Sequence, residues 1–516
     1  MAIRLYNTLT RRLEALEPLV PGQIRMYACG VTVYDLCHIG HARSALVFDV
    51  IRRYLEYAGY RVRFVRNFTD VDDKIIARAR ETGRSWDNVA RTYIEAFRAD
   101  MAALGLRAAD VEPKATDHLP EMLELIRALL DRGLAYAADG DVYYAVRRFP
   151  DYGMLSHRSP DELLAGARIE VDERKRDPLD FALWKASKPG EPAWESPWGA
   201  GRPGWHLECS AMAEKYLGQP FDIHAGGEDL IFPHHENEIA QSQGARGRPL
   251  ARYWLHNGFV TVGGEKMAKS LGNFVTIRDA LTRFSPDALK LLLLATNYRS
   301  PLDYTPAAVA EKAKALSGLQ EFLRAADRLT PGPDDDPTGH PALQGAEVAF
   351  RQAMDDDFNT ARAAGVLFDL AREGNRILGE GAEASAHRLA RGAAALLRRL
   401  AAVLALDLGG PARPLSMARS EVRLTRGTPA ALEELAGLLR TDPGEVSDRM
   451  VEVIRELLAL REAARAAKAW AEADRVRREL AAHGIRVEDT RTAAHAVWEF
   501  PAPTRRPAVT ISLVKA

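Results

Sequence analysis

The sequence predicts an α/β fold built on an open parallel sheet, followed by an all-helical region. An apolar run over 24–28 is typical of a strand that Cys29 and Gly30 end, and from about residue 41 apolar residues repeat at helical spacing. A second strand-like alternation covers 60–68. After Ser285 the pattern becomes amphipathic and Ala-rich as far as about residue 406, which favours helices packed on one another.

Length and composition limit the classes of protein. A chain of 516 residues with 47% hydrophobic content is long enough for two to four packed domains. No run of 18 apolar residues and no export signal occur, and there are only three cysteines, so we expect a cytoplasmic protein without a disulfide framework. A net charge of −1 excludes an indiscriminate nucleic-acid binder and requires any nucleic-acid contact to be local.

The stretch from Tyr27 to Arg43 carries the first chemical motif. A strand, a Gly-containing turn and a helix follow one another, and the helix N-terminus offers unpaired N–H groups to phosphate. His38 and His41 can add side-chain donors at this turn, while Gly40 lets a ligand approach the backbone. Two histidines near a turn are as often surface or core residues, so the motif alone is weak evidence for a nucleoside triphosphate site.

A second motif, Gly264 to Asn273, strengthens this interpretation. Lys266 and Lys269 stand three apart on a Gly-flanked loop, where mobile ammonium groups can reach triphosphate oxygens. The pair of motifs resembles the HIGH and KMSKS motifs of class I aminoacyl-tRNA synthetases, and the resemblance implies a Rossmann-like catalytic domain. Ala268 departs from the family pattern, which usually has Ser there.

A candidate metal site lies between the two motifs. Residues 221–224 are typical of a strand, and the glycine pair that follows is typical of a turn. Pro233 is typical of the first position of a helix, and in such a helix His234 and Glu238 share a face. Thiolates from Cys29 and Cys209 would complete a set that suits zinc. Spacing alone also permits His235 in place of His234, and each feature taken separately is more often a buried cysteine or an ordinary helix surface.

Three segments make the resemblance specific. The chain resembles the cysteinyl-tRNA synthetase family most specifically over 26–41, 199–210 and 232–242. The resemblance is near-continuous from residue 3 to about 405 and resumes over about 450–489. By position, the resemblance implies that the zinc ligands are Cys29, Cys209, His234 and Glu238. It also implies that zinc reads the substrate thiolate and so separates cysteine from serine, which a pocket without metal would do only about 10²-fold.

The resemblance further implies a two-step reaction. The carboxylate of L-cysteine attacks ATP, with Mg²⁺ on the triphosphate, and the adenylate then passes cysteine to the terminal adenosine of tRNA(Cys). The implied roles divide into catalytic His38, His41, Lys266 and Lys269; ATP-binding Gly40, Gly227 and His256 together with those four; and amino-acid-binding Thr69, Trp205 and Asp229. No obligatory protein partner or membrane is expected, and we expect a monomer.

The expected organisation is a class I catalytic domain with an inserted subdomain, then an all-α helix bundle and a small C-terminal α(+β) element. The predicted boundaries are, in order, 1–115 and 204–284 for the catalytic halves, 116–203 for the inserted subdomain, 285–408 for the bundle, 409–448 for a linker, 449–500 for the anticodon-binding element and 501–516 for the tail. Arg491 and Trp498 are candidates for phosphate contact and base stacking.

Two rival functions remain at this point. One is a ligase that joins cysteine to a glucosaminyl-inositol amine, a family that shares the catalytic core but lacks the anticodon-binding end. The other is a non-catalytic tRNA-binding paralogue. The C-terminal element disfavours the first, and the presence of both motifs and all four proposed metal ligands disfavours the second.

Ala268 leaves both lysines of the second motif in place. We therefore predict that Ala268→Ser changes the rate of adenylate formation only modestly, by well under the tenfold that about 1.4 kcal/mol of transition-state stabilisation gives. Pre-steady-state measurement of cysteine activation tests this. A large gain in rate would contradict it.

Overall fold

The computed structural model describes residues 2–166, 174–267, 273–329, 340–380 and 384–408, with short stretches of the later chain. These stretches are 453–454, 457–458, 460–461, 464, 470–482, 485–489, 493–498 and 509–514. The chain divides into two compact units, Met1–Pro414 and Leu415–Ala516. The boundary between these units falls inside the predicted linker 409–448.

The described strands of the first unit form one four-stranded parallel sheet, two antiparallel sheets and one small mixed sheet. In chain order they are β1 Arg4–Asn7, β2 Arg12–Ala15, β3 Gln23–Thr32, β4 Arg61–Thr69, β5 Ala135–Ala138, β6 Asp141–Tyr144, β7 Phe181–Ala186, β8 Gly201–Pro203, β9 Phe221–Gly227, β10 Ala251–Asn257, β11 Val260–Val262, β12 Glu265–Lys266 and β13 Leu302–Tyr304.

Helices of the first unit first alternate with these strands and then follow one another. In chain order they are α1 Ile39–Tyr57, α2 Asp73–Thr82, α3 Trp86–Ala103, α4 Leu119–Asp131, α5 Pro160–Gly166, α6 Trp205–Leu217, α7 Glu236–Arg246, α8 Ile277–Arg283, α9 Pro286–Leu293, α10 Pro306–Asp327, α11 Pro341–Asp355, α12 Thr360–Glu380 and α13 Ala384–Val403. Within the described residues, no helix is both long and apolar enough to cross a membrane.

The central sheet has the order β10-β9-β3-β4, and all its strands are parallel. The chain leaves β3 towards β4 on one side, and it returns much later to place β9 and β10 on the other side. The strand order therefore reverses between β3 and β9, and a crevice at such a reversal is where open α/β sheets bind ligands. The predicted α/β class is confirmed.

Two predicted strand ends were wrong. Strand β3 continues through Cys29 and Gly30 to Thr32, with a register shift against β4 between Ala28 and Val31. A Cβ on Gly30 would lie 1.6 Å from the Asn67 carbonyl oxygen, so Gly30 serves a close backbone approach and does not end the strand. Similarly, Gly227 is the last residue of β9, so the glycine pair that was predicted to form a turn belongs to the strand.

Outside the central sheet, local signals explain the regular elements. Strands β5 to β8 form an antiparallel sheet in sequence order, with Trp184 fully buried on β7. Helix α9 begins where Ser285 caps it and Pro286 takes its first position. The later helices bury one apolar face each, including Phe350, Leu367 and Leu397. The boundaries proposed for the inserted subdomain and for the helical domain stay predictions.

A buried arginine connects α1 to the segments around the second motif. The guanidinium of Arg43 is fully buried and donates hydrogen bonds to five acceptors on two segments. The acceptors are the carbonyl oxygens of Gly258, Phe259, Asn297 and Ser300 and the hydroxyl of Thr296. Planar guanidinium groups suit such convergent acceptors, so this side chain fixes the start of the β11–β12 hairpin to the helix of the first motif.

The second unit contains a helix and a three-stranded sheet. Helix α14 covers Trp470–Ala482, and the strands are β14 Ile485–Asp489, β15 Ala493–Trp498 and β16 Val509–Val514. All neighbours are antiparallel, with β15 in the middle. The short strand predicted at 485–489 is confirmed. Strand β16 lies in the tail, where the sequence predicted no element.

We predict that Arg43→Met lowers the free energy of unfolding by about 3 kcal/mol or more, because several buried carbonyl groups lose their donor. Chemical denaturation followed by circular dichroism measures the change. The control is Arg372→Met, since that arginine is 78% exposed and pairs with Asp369 on the same helix, a contact worth under about 1 kcal/mol. Equal denaturation midpoints for the two variants would contradict the prediction.

Candidate active site

Four side chains from separate elements meet at the carboxyl end of β3. Cys29 lies on β3, Cys209 on α6, His234 in the wide turn Ile231–His235, and Glu238 in the first turn of α7. One ligand atom from each lies within 4.8 Å of the others. Glu238 Oε1 is 3.0 Å from His234 Nε2 and accepts a hydrogen bond of 3.2 Å from the Cys29 thiol. The structure thus brings together the four residues implied by the resemblance.

The chemistry of this cluster suits a soft divalent metal. It offers two sulfurs, one imidazole and one carboxylate, which is a donor set that zinc accepts in tetrahedral sites. Cys209, His234 and Glu238 are buried and Cys29 is half-buried, so an ion there would be shielded from bulk water. The residues present therefore fit zinc.

A second, overlapping cluster uses the same thiol and carboxylate. Cys29, His224, His235 and Glu238 also place one ligand atom each within 4.8 Å of one another. His224 Nε2 lies 2.9 Å from Glu238 Oε2, and His235 Nε2 lies 3.3 Å from Cys29 Sγ. The ambiguity between His234 and His235 that spacing left open is thus present in the geometry as well.

The surroundings of Cys209 lower the pKa of its thiol, which favours the thiolate form that binds a cation. Burial raises the pKa of the Cys209 thiol, but hydrogen bonding from Cys29 and the contact with His234 outweigh it and bring the pKa from 9.0 to about 6. Burial lowers the pKa of His234, but the Glu238 carboxylate and Cys209 raise it to about 10. Burial also raises the pKa of Cys29, and its neighbour Cys209 raises it further. The raised pKa of His234 therefore favours a positive charge beside Glu238 and Cys209.

The first motif forms the start of α1. His38 is the N-cap residue, and its Nδ1 accepts a hydrogen bond of 3.1 Å from the Gly40 amide. The His38 and His41 rings stack with centroids 3.7 Å apart. A Cβ on Gly40 would lie 2.8 Å from the His38 ring, so only glycine leaves room for this cap.

Burial makes both histidines of the first motif neutral at pH 7. Burial lowers the pKa of His38 from 6.5 to about 4, although the negative charge of Asp229 opposes this. Burial, the neighbouring His38 and Lys74 together lower the pKa of His41 to about 3. These imidazoles can therefore donate hydrogen bonds to phosphate, but they bring no positive charge.

The structure brings both ends of the second motif to the first. Before the motif, Arg43 holds Gly258 and Phe259; after it, the Ile39 amide donates to the Val275 carbonyl over 3.2 Å. Lys266 lies on β12, while its side chain, Ala268 and Lys269 lie outside the described residues. The backbone thus supports the predicted pairing of the two motifs.

Of the residues predicted to bind the amino acid, Trp205 and Thr69 border the cluster. The Trp205 ring is 36% exposed and stacks on His234 at 4.3 Å, so it is not a core aromatic residue. Thr69 ends β4 and is buried, and its hydroxyl donates a hydrogen bond of 2.7 Å to Glu208 Oε2. Trp205 therefore covers the cluster, and Thr69 lies on the next strand of the same sheet edge.

The remaining predicted residues lie on β9, on β10 and in the turn between β9 and α7. Asp229 lies in the 3₁₀ turn Glu228–Leu230, close enough to His38 to raise its pKa, and Gly227 precedes this turn. His256, expected on the nucleotide side, is buried between Thr8 and His235, with 2.8 Å to each. The structure thus brings Asp229 towards the first motif, while His256 contacts the second cluster.

Sequence reasoning missed His224, Asn67 and Glu208, and it offered His235 only as an alternative to His234. His224 stacks on Tyr27 and contacts Glu238, and Glu208 precedes Cys209 on α6 with no exposed surface. The available signal was an ionisable residue in an otherwise apolar stretch, both in strand 221–224 and in the first turn of α6. That signal indicates that the ionisable side chain is buried, but it does not identify the residue with which the side chain pairs.

Family models match three consecutive regions of the chain. Residues 15–314 match "tRNA synthetases class I (C) catalytic domain", residues 349–409 match "DALR domain", and residues 448–495 match "Cysteinyl-tRNA ligase anticodon binding domain". The first match alone covers more than half of the chain, so the catalytic family does not rest on the two motifs only.

Two kinds of known protein resemble the chain. Cysteine–tRNA ligase of Pelobacter propionicus is 49% identical over 507 residues, with 95% of this chain and 98% of that protein covered. The enzyme of Syntrophotalea carbinolica is 50% identical over 493 residues, with the same coverage. The structure of Mycobacterium tuberculosis methionyl-tRNA synthetase with methionyl-adenylate matches at a TM-score of 0.57 and 18% identity, over 79% of this chain and 94% of that one.

A ternary complex of Agrobacterium radiobacter K84 agnB2 LeuRS-tRNA-LeuAMS matches at a TM-score of 0.56 and 13% identity, over 76% of this chain and 86% of that one. Identities this low establish the fold only, which is that of class I synthetases. Identity near one half along almost the entire sequence goes further, because it spans the motifs, the thiol cluster and the C-terminal region together. The chain therefore belongs to the cysteine–tRNA ligase family of class I aminoacyl-tRNA synthetases.

Proposed function

We propose that the chain activates L-cysteine with ATP to cysteinyl-adenylate and transfers the cysteine to the 3′-terminal adenosine of tRNA(Cys). The observation that carries the proposal is the position of the thiol-containing cluster beside the first nucleotide motif, in a chain whose whole length resembles cysteine–tRNA ligases. An aminoacyl-tRNA ligase of this family uses ATP. The match of 448–495 to an anticodon-binding model disfavours the rival ligase for a small amine.

In this proposal, Cys29, Cys209, His234 and Glu238 hold a zinc ion. Zinc prefers a thiolate to a hydroxyl, so when bound it would favour cysteine over serine without an editing site. The low pKa of Cys209 supports the assignment, because a ligand thiol must lose its proton. Trp205, stacked on His234, would close the pocket over the substrate side chain.

Adenylate formation would depend on positioning and charge. The N-terminus of α1 and the neutral rings of His38 and His41 would donate hydrogen bonds to the triphosphate, with Gly40 giving access to the backbone. Lys266 and Lys269 would then supply the positive charge, together with a Mg²⁺ ion on the triphosphate. Positioning of the cysteine carboxylate against the α-phosphorus would provide much of the rate.

The substrate amino group would be held by Asp229 at the mouth of the pocket, with Thr69 on the adjoining strand end. Gly227 and His256 are proposed for the nucleotide side. For tRNA, we propose that 449–500 reads the anticodon, with Trp498 on β15 and Arg491, which lies outside the described residues, as contacts. We further propose that the enzyme works as a monomer in the cytoplasm, with the domain boundaries predicted from the sequence.

ATP–pyrophosphate exchange with cysteine and with serine, followed by transfer to tRNA, tests the proposed function. We expect exchange with cysteine only, its loss after chelation, and charging of tRNA(Cys). Cysteine activation without charging of tRNA would instead identify the small-amine ligase. Absence of exchange with either amino acid would leave only a tRNA-binding module.

The two overlapping clusters allow a direct test of the zinc ligands. We expect Cys209→Ser and His234→Asn to weaken zinc binding by about 10- to 100-fold or more, because losing a ligand should cost at least as much as losing a partner of a ligand. Competition with a chelator indicator measures the affinity. His224→Asn and His235→Asn remove neighbours of the shared ligands Glu238 and Cys29, so they should weaken zinc binding less than the two ligand substitutions do. The reverse pattern would assign the metal to the second cluster.

A further inference from the structure

A buried carboxyl group stands directly behind the proposed amino-acid pocket. Glu208 has no exposed surface, and its Oε2 accepts the hydrogen bond from the Thr69 hydroxyl. Its Oε1 is buried without a hydrogen-bond partner among the residues that the structure describes. Burial of a carboxyl group with a single partner is costly, which points to a role that packing does not explain.

The hydrogen bond to Glu208 restricts what Thr69 can do. A threonine hydroxyl has one proton to donate and otherwise accepts. Thr69 donates that proton to Glu208 over 2.7 Å, and the Asn67 side-chain amide donates to the Thr69 oxygen over 3.3 Å. Towards any further partner, the Thr69 oxygen is therefore only an acceptor.

The same network reaches the metal cluster. Asn67 Oδ1 accepts hydrogen bonds from the Gly30 amide at 2.8 Å and from the Cys209 thiol at 3.6 Å. A single amide side chain thus separates the Thr69 hydroxyl from the sulfur of a proposed zinc ligand. In cysteine, two carbons join the sulfur to the amino nitrogen. A substrate whose sulfur lies at the cluster can therefore direct its amino group towards Thr69.

We propose that Glu208 is a positioning residue for the amino-acid substrate: by taking the hydroxyl proton of Thr69, it makes Thr69 an obligatory acceptor for the protonated α-amino group. Glu208 itself does not touch the substrate. The proposal rests on the proposed function, in that cysteine is the amino acid activated. It adds recognition of the substrate amino group by Thr69, which is separate from recognition of the substrate thiol by the metal cluster.

The test compares two compounds that differ in the amino group. Cysteine is the substrate in ATP–pyrophosphate exchange, and 3-mercaptopropionate, which keeps the thiol and carboxylate but lacks the amine, is a competitive inhibitor. We expect Glu208→Leu to raise the KM for cysteine about tenfold or more, as for loss of a hydrogen bond to a charged group. The inhibition constant of 3-mercaptopropionate should stay at the wild-type value.

Further variants separate positioning from a structural role. Glu208→Gln keeps an acceptor for Thr69 and should leave the cysteine KM near the wild-type value. Thr69→Val should raise that KM, and Thr69→Val combined with Glu208→Leu should raise it no further. The matched control is Glu214→Leu, since Glu214 lies on the same helix but faces Arg246 at 2.8 Å, and it should change neither constant.

Equal weakening of cysteine and 3-mercaptopropionate, or additive effects of the two substitutions, would overturn the proposal and leave Glu208 a structural residue. Should Glu208→Leu fail to fold, Glu208→Met, which also lacks an acceptor for Thr69 but has a more adaptable side chain, must discriminate between the two compounds in the same way. If the wild-type enzyme activates cysteine but these differences are absent, only the role of Glu208 fails. If it does not activate cysteine, the proposed function fails first.

Discussion

The pairing of β3 with β9 is the constraint on which the active site depends. Met26, Tyr27 and Ala28 lie opposite Ile223, His224 and Ala225, so two segments about 195 residues apart end at the same edge of the sheet. Cys29 follows directly on one strand, and the turn that carries Asp229 and His234 follows the other. Without this register, neither the thiol cluster nor its position beside the first motif would exist. Catalytic residues that come from distant segments need such a rigid frame to hold their distances.

Burying many ionisable side chains at this edge of the sheet costs free energy. Contacts among these same side chains offset part of that cost. His224, His234, Glu238 and Cys209 have little or no contact with solvent, Cys29 is half-buried, and these groups are satisfied largely by one another. In such a network the proton positions are coupled, which is why the pKa of Cys209 falls while that of Cys29 rises. The arrangement is unstable as a simple core, yet it is well suited to exchange protons for a cation.

In the proposed function, the two nucleotide motifs would have different electrostatic roles. The first supplies oriented donors without charge, because burial keeps His38 and His41 neutral. The second would supply Lys266 and Lys269, and the described segments on either side of this motif are fixed to α1 through Arg43 and through the Ile39 amide. Fixed neutral donors bind a triphosphate without excessive ground-state attraction, whereas charges brought in from a loop can act when negative charge develops.

The sequence by itself determined what depends on neighbours along the chain. The alternation of strands and helices and the contact of His234 with Glu238, four residues later, follow from local periodicity and spacing, although α7 begins at Glu236 and not at the predicted Pro233. Only the tertiary structure decided which side chains meet: that Gly30 lies against Asn67, that His224 joins the cluster, and that Thr69 gives its proton to Glu208. It also decided that 509–514 pairs with β15. Contacts between distant segments leave no periodic trace in sequence, because each partner alone looks like an ordinary buried residue.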